Sequence, residues 1–109
     1  MNLIAEIQKL QNYLKIQDYK TVVKGCEKLI NKFPNNPFLF NLLGLALHGS
    51  GNFLIAIDRY KKALDLDLNF FPAMNNIANS YKAIGNFEKA ESYYDKVIKI
   101  KPDYFQAIN

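Results

Sequence analysis

Residue types that build cross-links and metal sites are scarce in this sequence of 109 residues. It contains one cysteine, Cys26, one histidine, His48, and no tryptophan. A single cysteine cannot form an internal disulfide, and Cys26 falls on the apolar stripe of a predicted helix, so we interpret it as a small core residue. Because no Cys/His cluster has zinc spacing, the sequence predicts no metal site. The cysteine usage also favours a cytoplasmic location.

Catalytic pairs and phosphate-binding loops are missing from the sequence pattern too. Nucleophilic catalysis needs a base close to the nucleophile, but Cys26 lies on the core stripe of one helix and His48 near the end of another. Asp65 and Asp67 lack the glycine and the terminal glutamate of a calcium loop. The segment Gly49-Ser50-Gly51 has no strand before it and is interpreted as a turn. We therefore predict no catalytic residues, no cofactor and no enzymatic activity.

Long apolar runs and arginine are also rare. No apolar run approaches the roughly 18 residues of a membrane-spanning helix, and the N-terminus lacks the basic lead of a signal peptide. The net charge of +4 comes from 13 lysines and one arginine. Lysine without arginine or interleaved aromatic residues is weak evidence for nucleic-acid binding. We predict neither a nucleic acid nor a membrane as partner. Four lysines at four-residue spacing on the second predicted helix are interpreted as its solvated outer face; the alternative is that they bind an anionic surface: Lys20, Lys24, Lys28 and Lys32.

The strongest positive feature is a short sequence motif that recurs after 34 residues. Gly51-Asn52-Phe53 recurs as Gly85-Asn86-Phe87, and a weaker echo lies at Gln17-Asp18-Tyr19. A fixed period of this size predicts stacked units that bury a shared core.

Each period carries two apolar stripes at helical spacing, which predicts six helices. Pro34, the two Gly-Asn turns and Pro102 are expected to separate them. The third helix should begin at Pro37, and the others should span about 2–15, 19–33, 53–66, 71–84 and 87–100. No segment alternates at period two for long enough to predict a strand.

These positions carry a family resemblance. Two stretches match the tetratricopeptide pattern in register: Phe40-x2-Leu43-Gly44-x2-Leu47 with Ala56-x3-Tyr60, and Met74-x2-Ile77-Ala78-x2-Tyr81 with Ala90-x3-Tyr94 and Pro102. The resemblance implies an all-α, right-handed α-solenoid of three antiparallel helix-turn-helix units. The repeats would cover about 3–36, 37–70 and 71–104, with the stub of a fourth at 105–109. We expect Gly44 and Ala78 to be small because paired helices cross closely there.

The two ends depart from the pattern. Repeat one has Leu10 where a small residue is expected, and Val22 and Leu29 where alanines are expected. The sequence of residues 103–109 resembles that of residues 69–75, so we interpret it as the start of a further repeat. The sequence shows no capping helix after repeat three. We therefore expect a fragment of a longer protein, with self-association through the uncapped C-terminal end as an additional hypothesis.

In tetratricopeptide domains the first helix of each pair lines a concave groove. Projected onto this sequence, the resemblance implies a peptide-binding lining of Phe38, Asn41, Leu45, His48, Asn75, Asn79 and Lys82, with Ile4, Ile7, Gln11, Leu14 and Pro72 beside them. Asn41, Asn75 and Asn109 would form a ladder whose amides pair with a peptide backbone. The alternative is that these asparagines are ordinary solvated positions.

Two narrower comparisons refine this expectation. Asn75-Asn76-Ile77-Ala78-Asn79 resembles the repeat signature of O-linked N-acetylglucosamine transferases, in which an asparagine array holds extended peptides. Domains that clamp the C-terminal carboxylate of heat-shock chaperones use lysines and an arginine, whereas the corresponding sites here hold Ile7, Gln11, Leu42, Pro72 and Asn76. The predicted function is a protein-interaction scaffold that binds a protein or peptide ligand. The alternatives are a non-catalytic arm of a larger enzyme, such as a glycosyltransferase, and a self-association module.

Overall fold

A computed structural model of the chain describes residues 2–104 and contains six α-helices in that range. They are α1 (Leu3–Lys15), α2 (Tyr19–Lys32), α3 (Pro37–Gly49), α4 (Phe53–Leu66), α5 (Phe71–Ala83) and α6 (Phe87–Ile100). No strand occurs within 2–104, and the all-α prediction is confirmed. Residues 105–109, which include the predicted fourth-repeat stub, the C-terminal self-association surface and Asn109, lie outside the described residues.

Short polar side chains start most of the helices. Asn2, Asp18, Asn36 and Asn86 each accept a hydrogen bond from a backbone N–H in the first turn of the helix that follows. Such caps satisfy donors that have no partner inside the helix. Pro37 occupies the first position of α3, where a missing N–H costs nothing.

The turn within each helix pair has the same backbone geometry at the 34-residue period. Gly51 and Gly85 have φ of +87° and +84°, and Gln17 takes the equivalent position with φ of +64°. In each turn the next N–H donates to the carbonyl five residues back, as from Asn52 to Leu47 at 2.8 Å. This is the ordinary left-handed termination of a helix, for which glycine is favoured.

Packing between the helices of a pair depends on matched large and small residues. Gly44 of α3 faces the ring of Tyr60 on α4 so closely that a Cβ at Gly44 would overlap the ring. In repeat one the sizes are reversed, because Leu10 of α1 fills the space over Gly25 of α2. The departure at Leu10 is thereby compensated within its own repeat.

The buried residues form a continuous sequence of clusters along the stack. The first joins α1, α2 and α3 around Leu10, Cys26 and Leu42. The second joins α3 to α6 around Tyr60 and Ile77. Since each cluster spans neighbouring pairs, no single pair could bury its apolar surface alone.

The stack curves toward its first helices. Contacts join α1 to α3 and α3 to α5, whereas α2, α4 and α6 make no comparable contacts with one another. Helices that approach each other more closely lie on the inner side of a bend. The face formed by α1, α3 and α5 is therefore the concave one, and we call it the first-helix face. None of the helices in 2–104 has the combination of length and apolar character that crossing a bilayer requires.

Candidate functional site

The first-helix face is joined across repeats by an asparagine pair. Asn76 Nδ2 on α5 donates to Asn41 Oδ1 on α3 at 2.9 Å. Asn41 is only 6% exposed and Asn75 is 0% exposed, so both side chains lie within the protein. The structure thus places these two asparagines differently from the open ladder suggested by the sequence. Helical periodicity identifies the side of the helix on which these two asparagines lie. It does not indicate which neighbouring helix covers them.

Asn79 and Asn76 retain unused hydrogen-bonding atoms. Asn79 Oδ1 accepts from the Tyr94 hydroxyl of α6. Within residues 2–104 nothing hydrogen-bonds to the Asn79 Nδ2 amide or to the Asn76 Oδ1 oxygen. The two residues are three apart on a helix, which brings their side chains to neighbouring positions on one face. One offers a donor and the other an acceptor, the two groups that a peptide backbone requires.

Asn76 was not among the residues that the sequence analysis selected for peptide binding. The run Asn75-Asn76-x2-Asn79 held the signal, because it places amides at adjacent helical positions. The repeat pattern instead drew attention to the equivalent position one residue earlier.

His48 is a link between helices. Its Nδ1 lies 2.8 Å from Ser80 Oγ on α5, and its ring meets Phe53 edge-on at 4.9 Å between centroids. Burial lowers the pKa of His48 below its usual value of 6.5. Ser80 is fully buried and lies close to the side chain of Tyr60. His48 therefore belongs to a polar network that holds α3, α4 and α5 together.

The remaining candidates on α3 and α5 differ in exposure. Phe38, in the first turn of α3, is 38% exposed. Leu45 is partly buried and packs against the second core cluster, around Tyr60 and Ile77, and Lys82 is exposed in the last turn of α5. Pro72 is partly buried at the start of α5.

The apolar residues predicted for this face on α1 are divided by the structure. Ile7 and Leu14 pack against the first core cluster, which gives them a structural role. Ile4 is 69% exposed. Gln8, Gln11, Asn12, Leu14 and Lys15 line a shallow depression, so this part of the face carries three amides and one cation.

The one cysteine of the sequence, Cys26, lies on α2 in the core. Cys26 is fully buried, and burial, reinforced by the Glu27 carboxylate, raises its thiol pKa to about 12. The thiol is therefore protonated and inaccessible, as expected for a core residue. Among residues 2–104 no group of three or more His, Cys, Asp or Glu side chains could hold a metal ion.

Comparisons with known proteins agree with this geometry. Residues 71–104 match the tetratricopeptide repeat family. The protein ycf37 of Pyropia yezoensis is 37% identical over 62 residues, which cover 57% of this chain and 35% of that protein. Serine/threonine-protein phosphatase 5 of Rattus norvegicus is 29% identical over 101 residues, covering 91% of this chain and 20% of that protein. The chain thus spans about a third or less of the length of these relatives.

Among solved structures, the first tetratricopeptide domain of Spaghetti (RPAP3), bound to the HSP90 peptide SRMEEVD, superposes with a TM-score of 0.90. It is 23% identical, and the match covers 97% of this chain and 84% of that one. This likeness establishes the fold over nearly the whole chain. The family match identifies residues 71–104 as a tetratricopeptide repeat, and the three stacked helix pairs give the chain the fold of a tetratricopeptide domain.

Proposed function

We propose that this protein binds an extended peptide segment of another protein on its first-helix face. The observation that carries the proposal is the pair formed by the Asn76 Oδ1 acceptor and the Asn79 Nδ2 donor, neighbours on α5 and unused within residues 2–104. A backbone amide unit of a ligand can satisfy both atoms without any particular side chain.

Apolar contact would come from Phe38 and Leu45 on α3. Phe38 is the exposed aromatic residue of that helix, and a ligand side chain packed on its ring would remove apolar surface from water. The structural relative bound to an HSP90 peptide supports the use of this fold for peptide capture.

In this proposal only two asparagines contact the ligand, and the others have a structural role. Since Asn41 and Asn75 are buried, they would hold the repeats in position, while Asn76 and Asn79 would contact the ligand. His48 would likewise position α5 through Ser80. We assign the protein no catalytic role and place it in the cytoplasm as part of the same proposal.

The test first selects peptides that bind the protein from a random phage-displayed library. It then compares alanine variants at two phenylalanines of the protein. Phe38 lies at the start of the first helix α3, and Phe87, which is 65% exposed, lies at the start of the second helix α6. Phe38→Ala should weaken binding of the selected peptides about tenfold, and Phe87→Ala should leave it unchanged. Equal effects of the two variants would contradict a site on the first-helix face.

The amide contact has its own matched control. Asn79→Ala removes both the ligand donor and the acceptor for Tyr94, whereas Tyr94→Phe breaks only the internal hydrogen bond. We expect Asn79→Ala to lose affinity and Tyr94→Phe to retain it. If both lose affinity equally, Asn79 acts by supporting the fold and not by contacting a peptide.

A second candidate function is supported by the comparison with phosphatase 5. Nearly all of this chain aligns with only 20% of that protein. This small aligned share favours a role as the non-catalytic arm of a larger protein. The first-helix face would then bind a partner and hold it close to the rest of that protein. Sequencing the gene beyond both ends tests this, since an adjoining catalytic domain would support the arm and stop codons flanking residues 1–109 would exclude it.

A further inference from the structure

Charge is distributed very unevenly between the two faces of the stack. Helix α3 contains no aspartate, glutamate, lysine or arginine, and α5 contains only Lys82, in its last turn. On α1 the carboxylate of Glu6 is paired with the ammonium of Lys9 at 3.9 Å, and Lys15 lies in the last turn. The centre of the first-helix face is therefore formed by apolar side chains and neutral amides.

The second helices have the opposite character. Each of α2, α4 and α6 carries several charged side chains, and most of them are exposed. Most of the protein's charge is thus on the outer face. Solubility is provided there, which leaves α3 and the first three turns of α5, at the centre of the first-helix face, without charged side chains.

An uncharged face disfavours charged ligands. A carboxylate that enters it loses hydration, and no cation on α3 or the first three turns of α5 compensates for that loss. The relative bound to SRMEEVD accommodates a ligand with a cluster of acidic residues. In this protein Leu42 is buried and Ile7 packs in the core, so neither position presents a cation to such a tail.

We propose that the ligand is an uncharged, apolar stretch of extended chain from a partner protein, held by Asn76 and Asn79 through its backbone and by Phe38 and Leu45 through its side chains. This inference rests on the proposed function and specifies the chemistry of its ligand. Affinity would come from apolar burial and neutral hydrogen bonds, both of which are insensitive to ionic strength.

The test compares the composition and salt dependence of the peptides selected in the phage experiment. We expect selected sequences to be depleted in Asp, Glu, Lys and Arg relative to the input library. Their Kd should change less than about twofold between about 0.05 M and about 0.5 M NaCl, because uncharged contacts are not screened. The synthetic peptide SRMEEVD should bind at least about tenfold more weakly than the selected peptides.

A pair of variants at one position provides an independent readout. Asn76→Lys and Asn76→Met both remove the amide that donates to Asn41 and have similar length, but only the first adds a cation. Asn76→Lys should increase the affinity for SRMEEVD relative to Asn76→Met and make it dependent on salt. Equal affinity of the two variants for SRMEEVD would contradict the role given to charge.

The outcomes separate the inference from the function. Selected peptides that are acidic and salt-dependent, yet lost with Phe38→Ala and kept with Phe87→Ala, would overturn the inference and leave the binding site intact. Failure to select any peptide whose binding depends on Phe38 or Asn79 would contradict the proposed function and the inference with it.

Discussion

Gly44 on α3 lies directly against the buried ring of Tyr60 on α4, so that even a methyl group at position 44 would overlap the aromatic ring. This contact sets how closely the two helices of repeat two approach. Repeat one uses the reverse arrangement, with Leu10 over Gly25 and Cys26 at the position equivalent to Tyr60.

The two glycines should respond differently to alanine. Alanine favours a helix by about 1 kcal/mol over glycine at either site. At Gly44 the methyl group meets a rigid buried ring, and we expect a net loss of about 1–3 kcal/mol. At Gly25 it meets the branched end of Leu10, which can rotate, and Gly25→Ala should be close to neutral. Urea unfolding followed by circular dichroism measures both, and equal losses would contradict the difference in rigidity.

Gln17 occupies a left-handed backbone position that the other repeats fill with glycine. Gln17→Gly should raise the free energy of unfolding by about 0.5–1 kcal/mol, because the steric cost of φ of +64° is removed. The reciprocal change Gly85→Gln should lower it by a similar amount. Thermal unfolding of both variants checks the pair, and a destabilised Gln17→Gly protein would show that the glutamine side chain contributes more than the strain costs.

Ionisation of Cys26 should couple stability to alkaline pH. Its thiol pKa is 9.0 ordinarily and about 12 in the folded protein, because burial disfavours the thiolate. The folded pKa is the higher one, so the stability contribution is complete below pH 9.0 and is lost as the pH rises toward the folded value. Urea unfolding of wild type should therefore weaken more steeply than that of Cys26→Ala between about pH 8 and 10. Parallel curves for the two proteins would contradict this coupling.

His48 should show the opposite pH dependence. Its pKa is lowered on folding by burial, so the stability contribution is present above the ordinary value of 6.5 and is lost as the pH falls. Because the chain has one histidine, its ring proton is resolved singly by NMR, and its titration midpoint should lie below 6.5. Loss of stability between about pH 7 and 5.5 should be smaller in His48→Gln. A midpoint at or above 6.5 would contradict the buried placement.

The helices were predictable from the sequence because local signals agree at most boundaries. Asparagine or aspartate caps, Pro37 and the Gly-Asn turns fall where the apolar stripes begin or end. The size reversal in repeat one was not anticipated, although Gly25 and Cys26 were visible in the sequence. It requires knowing which residue of α2 faces Leu10, and that depends on how the helices cross.

The candidate site was only partly predictable for a similar reason. The repeat pattern placed Phe38, Asn79 and Lys82 where the structure leaves them with exposed or partly exposed side chains. It could not indicate that Asn41 would pair with Asn76, because that hydrogen bond crosses from one repeat to the next. Burial of an amide depends on the approach of a second helix, which a periodic pattern does not encode.

The measurement that tests the central claim most directly is amide chemical-shift mapping of the ¹⁵N-labelled protein during titration with the tightest selected peptide. We predict the largest shifts on α3 and α5, at Phe38, Leu45, Asn76 and Asn79, together with the side-chain amide signals of the two asparagines. Shifts concentrated on the charged faces of α2, α4 and α6, or around exposed Leu54 and Ile84 at the turn edge, would contradict peptide binding on the first-helix face.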